Sequence, residues 1–327
     1  MRTAFVRIAL VLLVSALAAA GCGKKKTVYK YEDTLPNGIN EIPKTALRYE
    51  RVSTIDAHVG QLRGIDVDAR DRLYMVGSGG LHVLDAEGNE LGRMAVPKSA
   101  ASVSVADDGT IYVGCRQQVL RFSADGKRLG NLGAPGVGPG KFSHVTSVVV
   151  HGSDVLVADA DAKQMFIHRF ATDGTFLNDI GRHAEDKTQF LGLVLPSPFL
   201  DCVVDDEGNV VVTNTGRLRV EVYSKNGGRP LRHWGIGGLA PDAFSGCCNP
   251  TNLAITRDGL VVTAEKGMFG RVKIHDRRGN LLAYIPPSTF PGKPRGMDLA
   301  VDSKNRIYVA YTVKSTVMVF ERRRAKE

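Results

Sequence analysis

Two adjacent thiols are the residues whose spacing most clearly could do chemistry: Cys247 and Cys248, in the segment Phe244-Ser-Gly-Cys-Cys-Asn-Pro-Thr-Asn252. Neighbouring cysteines can close on each other as a strained vicinal disulfide, a rigid turn that serves as a binding platform or a redox element. One of the pair could instead bridge to Cys202, or both could bind a metal or cluster as thiolates. Outside a reducing cytosol such thiols end oxidised or metal-bound. Spacing weakens the metal alternative, because Cys115, Cys202, Cys247 and Cys248 form no CxxC pair. A structural disulfide is the plainest of the three. Asn249 and Asn252 lie in the same segment, and the following run TAEKGMFGR brings Glu265, Lys266 and Arg271 onto a neighbouring loop. Those three either pair with one another or contact a ligand.

A second set of residues carries only oxygen. Asp201, Asn252 and Asp298 each open a short apolar run, DCVV, NLAI and DLAV. Carboxylate and amide oxygens that converge suit a hard cation such as calcium. They equally suit a water-filled channel whose strand ends they cap. Convergence requires that the three runs be neighbours in space, so the elements that carry them decide the matter.

Those elements repeat. An apolar strand, a polar turn and a second apolar strand recur as GIDV-DARD-RLYMV (64–76), SVSV-ADDG-TIYVG (102–114) and SVVV-HGSD-VLVA (147–158). They recur again as DCVV-DDEG-NVVVT (201–213), NLAI-TRDG-LVVTA (252–264) and DLAV-DSKN-RIYVA (298–310). A second hairpin turns on Asp85–Gly88, Ser123–Gly126, Ala171–Gly174, Ser224–Gly227 and Asp276–Gly279. Asp, Asn and Gly between alternating strands are hairpin signals. Six first hairpins but five second ones leave the last copy one strand short. A spare strand, LRYERVSTI (Leu47–Ile55), precedes the first copy and can complete the last. Units this small cannot bury their own faces and must stack.

The fullest copy, 133–181, reads GAPGVGPGKF, then SVVV, VLVADADAK and FATDG. This wording resembles the NHL repeat, a four-stranded propeller blade. The resemblance spans about residues 45–321. It implies an all-β fold: a six-bladed β-propeller of four-stranded antiparallel blades, closed by the N-terminal strand. In such a ring the first strands line the axis, so Gly64, Ser102, Ser147, Asp201, Asn252 and Asp298 open one mouth of the channel. The connectors 131–146, 181–200, 235–251 and 285–296 share that face, where binding usually lives. Asp201, Asn252 and Asp298 then resemble the oxygen-liganded sites of calcium-dependent lactonase-type propellers. Calcium is the one cofactor they suggest, and no other is expected. Amidating lyases built on this repeat carry zinc-binding histidines at first-strand entries, where this chain has Ser147, Asp201, Asn252 and Asp298. That activity is disfavoured. Cys202 falls in an apolar row and reads as a buried thiol.

The N-terminus reads as a targeting segment. Arg2 and Arg7 precede the apolar run Ile8–Ala20, and Leu17-Ala-Ala-Ala-Gly-Cys22 resembles a bacterial lipobox, with Ala19 where Leu is usual. The resemblance implies cleavage before Cys22, lipidation of its thiol and, since Gly23 follows, the periplasmic side of an outer membrane. The expected organisation is signal peptide 1–21, tether 22–44, propeller 45–321 and basic tail 322–327. The formal charge of +9 is concentrated partly in Arg2, Arg7, Lys24–Lys26 and Arg322–Lys326, clusters read as solvated ends, so no nucleic-acid partner is expected. No Ser/His/Asp order or paired-carboxylate spacing stands out, and Gly136–Gly140 lacks the strand-to-helix setting of a phosphate loop. Two functions remain. One is an envelope lipoprotein whose propeller binds a partner protein or small ligand through its loop-rich pore face. The other is an enzyme at the channel mouth, a divalent-metal hydrolase using Asp201, Asn252 and Asp298 or a redox protein using Cys247 and Cys248.

Overall fold

Period-two apolar runs separated by Asp-rich turns fold into six antiparallel sheets. The computed structural model describes residues 38–41, 43–162, 164–182 and 192–324. The signal peptide, Cys22, most of the tether and residues 325–327 lie outside them. Blade one comprises Leu62–Val67, Leu73–Gly77, Gly80–Leu84 and Glu90–Met94; blade two comprises Ala100–Val105, Ile111–Cys115, Gln118–Phe122 and Arg128–Leu132. Blade three is built from Val145–His151, Asp154–Ala160, Met165–Ala171 and Phe176–Ile180, and blade four from Cys202–Val204, Val210–Asn214, Arg219–Tyr223 and Arg232–Trp234. Blade five has Asn252–Ile255, Val261–Ala264, Val272–His275 and Leu281–Ile285. Blade six has Leu299–Val301, Ile307–Tyr311 and Thr316–Arg324, with Leu47–Asp56 as its outermost strand.

The turns follow from their side chains. Asp68 Oδ1 accepts the amides of Arg70 and Arg72, Asp205 Oδ1 those of Glu207 and Asn209, and Asp302 Oδ1 those of Lys304 and Arg306. Each carboxylate thereby closes the first turn of its blade. The alternating apolar faces meet between blades. Six apolar clusters form, one at each junction, and each draws on two adjacent blades. Every buried Val, Leu or Ile there contributes about 1.5–3 kcal/mol relative to exposure. The inner strands touch in ring order, with that of blade six against that of blade one.

Closure is as the repeat count requires: Leu47 pairs with Arg324 and Asp56 with Thr316. Two boundaries are corrected. The last strand continues past Glu321, because Arg322 and Arg323 pair with Tyr49 and Arg48, and Arg322 Nη1 binds Asp258 at 2.6 Å. The ladder needs a partner along the whole first strand, so 322–324 are sheet rather than tail. The tether, too, ends before residue 44. Ile39 is buried, its carbonyl accepts the Tyr284 hydroxyl at 2.7 Å, and Asn40 Oδ1 accepts the Ser288 amide at 3.0 Å. One apolar side chain and two hydrogen bonds dock this segment on blade five.

Candidate functional site

The channel wall explains the oxygen residues first. Each of the six blade junctions carries at least one polar staple between inner strands or their entries. Asp66 accepts the Val105 amide, Ser104 Oγ the Val150 amide, and Thr146 donates to the Leu200 carbonyl. Asp201 accepts the Leu253 amide, Asn252 Nδ2 approaches Asp298, and Asp298 accepts the Ile65 amide at 2.8 Å. Asp201, Asn252 and Asp298 do come together, and the carboxylates are largely spent on backbone N–H groups. Burial pushes Asp201 up to about 6 against the pull of hydrogen bonds from Ser147, two amides and Asn252. Burial and then the charge of Asp201 push Asp298 well above the usual carboxylate range. Burial also raises Asp66 to about 7. Two polar atoms in this wall lack partners, Asn252 Oδ1 and the buried hydroxyl of Ser102.

Above the staples a cavity of about 510 Å³ fills the mouth, lined among others by Arg63, Ser102, His144, Asn252, Asp298 and Val313. A second cavity of about 540 Å³ holds Cys247, Cys248, Asn249, Lys266, Met268 and Phe269. The two share Phe199, Lys293 and Arg295. Lys266 Nζ lies 4.2 Å from the Phe199 ring centroid, a cation–π contact at the shared wall. Lys293 is exposed and lines both cavities from left-handed backbone (φ 61°), an unusual state for a non-glycine residue.

The thiols sit on a loop braced from below. Gly235 takes φ 113°, and a Cβ there would lie 2.5 Å from the Phe244 ring. Phe244 is buried beneath Lys273 Nζ, 4.0 Å from its ring centroid. Ser245 gives its amide and hydroxyl to Glu265 Oε2, both at 2.6 Å. Arg271 and Lys273 flank the other oxygen of Glu265 at 2.7 and 2.8 Å, and both also donate to the Ala243 carbonyl. Arg271 reaches the Leu239 carbonyl as well, and Asn249 ties the Ser245 carbonyl to the Lys266 amide. Burial disfavours the Glu265 carboxylate, but Lys273 and Arg271 outweigh it and hold its pKa down. One carboxylate serves two cations, and burial pushes Lys273 down to about 8.

Glu265 and Arg271 are therefore corrected as ligand contacts: both are fully buried, and their charges are spent on each other and on the loop backbone. Asn249, also buried, holds the loop while lining the cavity. Lys266 stays at the cavity wall. Cys247 is exposed and Cys248 buried, with sulfurs 3.2 Å apart as free thiols. Cys202 is a free thiol in the core between blades three and four, bonded to neither, and burial raises its pKa well above normal. Among the described residues no three His, Cys, Asp or Glu side chains are grouped to hold a metal. Phe199, Lys293, Arg295 and Arg63 were not singled out from sequence. The available signal was the PGKPRG run inside a long connector.

No protein-family model matches the chain, and no curated protein matches it. The fold is similar to a gluconolactonase of Xanthomonas campestris, at 14% identity and TM-score 0.59 over 81% of this chain and 88% of that one. It is similar to a streptogramin B lyase at 12% identity and TM-score 0.55, covering 85% and 98% of the two chains. The WD40 β-propeller domain of Doa1 also matches, at 13% identity and TM-score 0.54 over 84% and 97%. The fold is a six-bladed β-propeller. Identities this low carry the architecture alone, since propellers host unrelated functions.

Proposed function

We propose that this chain is an envelope lipoprotein, anchored through Cys22, whose NHL-type propeller binds a small, partly apolar anion at its loop-rich mouth. One observation carries this reading: two cavities of about 510 and 540 Å³ adjoin across Phe199, Lys293 and Arg295. Their volumes fall in the range of small-molecule sites, and apolar walls with a few placed charges are what such sites use. Phe199, Met268 and Phe269 supply the apolar wall, and Lys266, Lys293 and Arg295 the positive charge. The probe is anilinonaphthalene sulfonate, an apolar anion, titrated by fluorescence into folded protein. One saturable site is expected, weakened at least about tenfold by Phe199→Ala or Arg295→Glu at unchanged Tm. No saturation, or indifference to both substitutions, overturns the reading. Anchoring is tested separately by fatty-acid incorporation in cells, expected for the whole chain and lost in Cys22→Ser.

Asn252 Oδ1 favours a second reading, a divalent-metal hydrolase at the same mouth. An unpartnered buried amide oxygen beside Asp201 and Asp298 fits a hard cation in kind. Those residues would hold calcium, and the metal would supply Lewis acidity to a bound oxygen. The gluconolactonase neighbour bears on this reading by fold alone. Calorimetric titration with calcium decides it. Stoichiometric binding lost in Asp298→Asn supports the metal site, and heat no larger than dilution removes it.

A further inference from the structure

The two faces of the wheel differ in a way that the mouth cavity does not explain. On the connector face, exposed cations stand on the loops around the ring: Lys98, Arg116, Lys141, Lys293, Arg295 and Lys314. The exposed carboxylates on those loops and at their strand ends, among the described residues, are Asp56 and Asp242. The hairpin face mixes signs, with Asp107, Asp108, Asp173 and Asp206 among Arg70, Lys127 and Arg257. Exposed apolar side chains divide the same way. Among the described residues, Val52, Leu91, Leu129 and Leu177 lie along outermost strands, while Val137, Val194, Ile236, Leu239 and Val313 lie on connector-face loops. Leu231 is the exception, in the hairpin connection between Tyr223 and Arg232 on the other face. Ile236 is 65% exposed, too open for a residue with a role in the core.

Cations interleaved with protruding apolar side chains on one face are the chemistry of an anionic lipid surface. The cations meet headgroup phosphates, and the apolar tips enter the acyl boundary. The chain's own path agrees. The segment ahead of the closing strand docks through Ile39 and Asn40 on Tyr284 and Ser288, at the rim of this same face. Residues 23–37 then span at most roughly 50 Å to Cys22.

We infer that the connector face docks on the anionic bilayer to which the chain is tethered, so that the mouth opens toward the headgroup layer. The inference rests on the proposed lipid anchor only for the direction of approach. The docking itself is a property of the wheel, whose strands are all contained in residues 47–324.

The test uses residues 24–327, which lack Cys22, sedimented with vesicles of pure phosphatidylcholine or of phosphatidylcholine with phosphatidylglycerol. Binding is expected to the anionic vesicles alone, weakening steeply with salt. Lys293→Glu with Arg295→Glu should lower the partition coefficient at least about tenfold, and Ile236→Ser with Leu239→Ser several-fold. Arg70→Glu with Arg257→Glu, on the hairpin face, should leave it unchanged. All these positions are exposed, and an unaltered Tm shows that each variant is folded. Equal binding to both vesicle types, loss through the hairpin-face variant, or binding to polyglutamate but not to vesicles overturns the proposal. Fatty-acid incorporation without vesicle binding removes the docking and keeps the anchor; the reverse result keeps the docking and removes the anchor.

Discussion

Blades three and five begin with the same clamp. In both, the chain enters through Phe-Ser, and the acid at the end of the second strand grips that serine. Asp159 accepts the Ser143 amide at 2.7 Å and its hydroxyl at 3.0 Å, and Glu265 accepts the same two groups of Ser245. Both acids are fully buried, and each faces a basic side chain from the third strand or its start. Two things differ. In blade three the basic partner is His168, whose ring nitrogens lie 3.7 Å from Asp159 and 2.9 Å from Asp179. In blade five it is the pair Arg271 and Lys273. After the clamp, blade three passes straight into its inner strand through His144, whereas blade five inserts Gly246-Cys-Cys-Asn-Pro250 first. The thiol loop is thus an addition to a frame used elsewhere in the ring without it. Its position is inherited, and its chemistry is its own.

The largest effect separates the two clamps by what each leaves behind. Glu265→Ala strands two buried cations, only one of which can shed its proton, and should cost about 3–5 kcal/mol in urea unfolding. Asp159→Ala strands an imidazole that can become neutral and still faces Asp179, so a cost of about 1–3 kcal/mol is expected. Equal costs would break the comparison. Phe244 and Phe142 would then set both junctions by packing, with the carboxylates incidental.

Smaller, but opposite in sign, is the response to pH. Burial lowers the His168 pKa, but Asp159 and Asp179 together outweigh it, so the folded value lies above 6.5. The native state then holds a proton that the unfolded chain releases. That contribution is complete below about 6.5 and is lost as pH rises through the folded value. Lys273 runs the other way. Its folded pKa is about 8 against 10.5, so between those values the unfolded chain binds more protons and stability rises with pH. Wild-type stability should fall as pH rises from about 6.5 through the folded His168 value, and rise with pH between about 8 and 10.5. His168→Gln should remove the fall, and Lys273→Met the rise. A slope unchanged by either variant would mean that neither clamp titrates in this range.

The contrast also marks what the sequence could tell. Strands and turns were readable because both signals are local: a period of two, and an Asp or Gly at each reversal. The closing strand was readable because one copy was a strand short. Whether Glu265 and Arg271 faced in or out was not local. It depended on Phe244-Ser245 folding beneath them, and alignment on the first turns hides that match. Alignment on blade ends would have set VTAE against LVAD and Phe-Ser against Phe-Ser, and so placed Glu265 indoors. Arg63 and Lys293, 230 residues apart, share a cavity only because the ring closes. The staples were half legible: the polar row was evident, but not that its oxygens would be used by the neighbouring blade's amides.

The smallest expected effect lies in the insertion itself. Cys247 is exposed, Cys248 is buried beside it, and the remaining two thiols of the wheel are fully enclosed. The hydrogen bond that the Cys247 thiol gives to Cys248, and the proximity of that sulfur's charge, raise the Cys247 pKa, so its thiolate is scarcer than exposure alone would suggest. Burial raises Cys115 to about 11. With reductant present, iodoacetamide should modify Cys247 first and Cys248 slowly, leaving Cys115 and Cys202 untouched until urea opens the ring. Peptide mass spectrometry reads the order. Cys248→Ser should speed Cys247, since a hydroxyl cannot share a thiol proton in the same way, and should shift stability by no more than about 0.5 kcal/mol if the insertion is decoration on the clamp. A loss of several kcal/mol would mean that the thiols brace blade five themselves, and that the frame is not the one blade three uses.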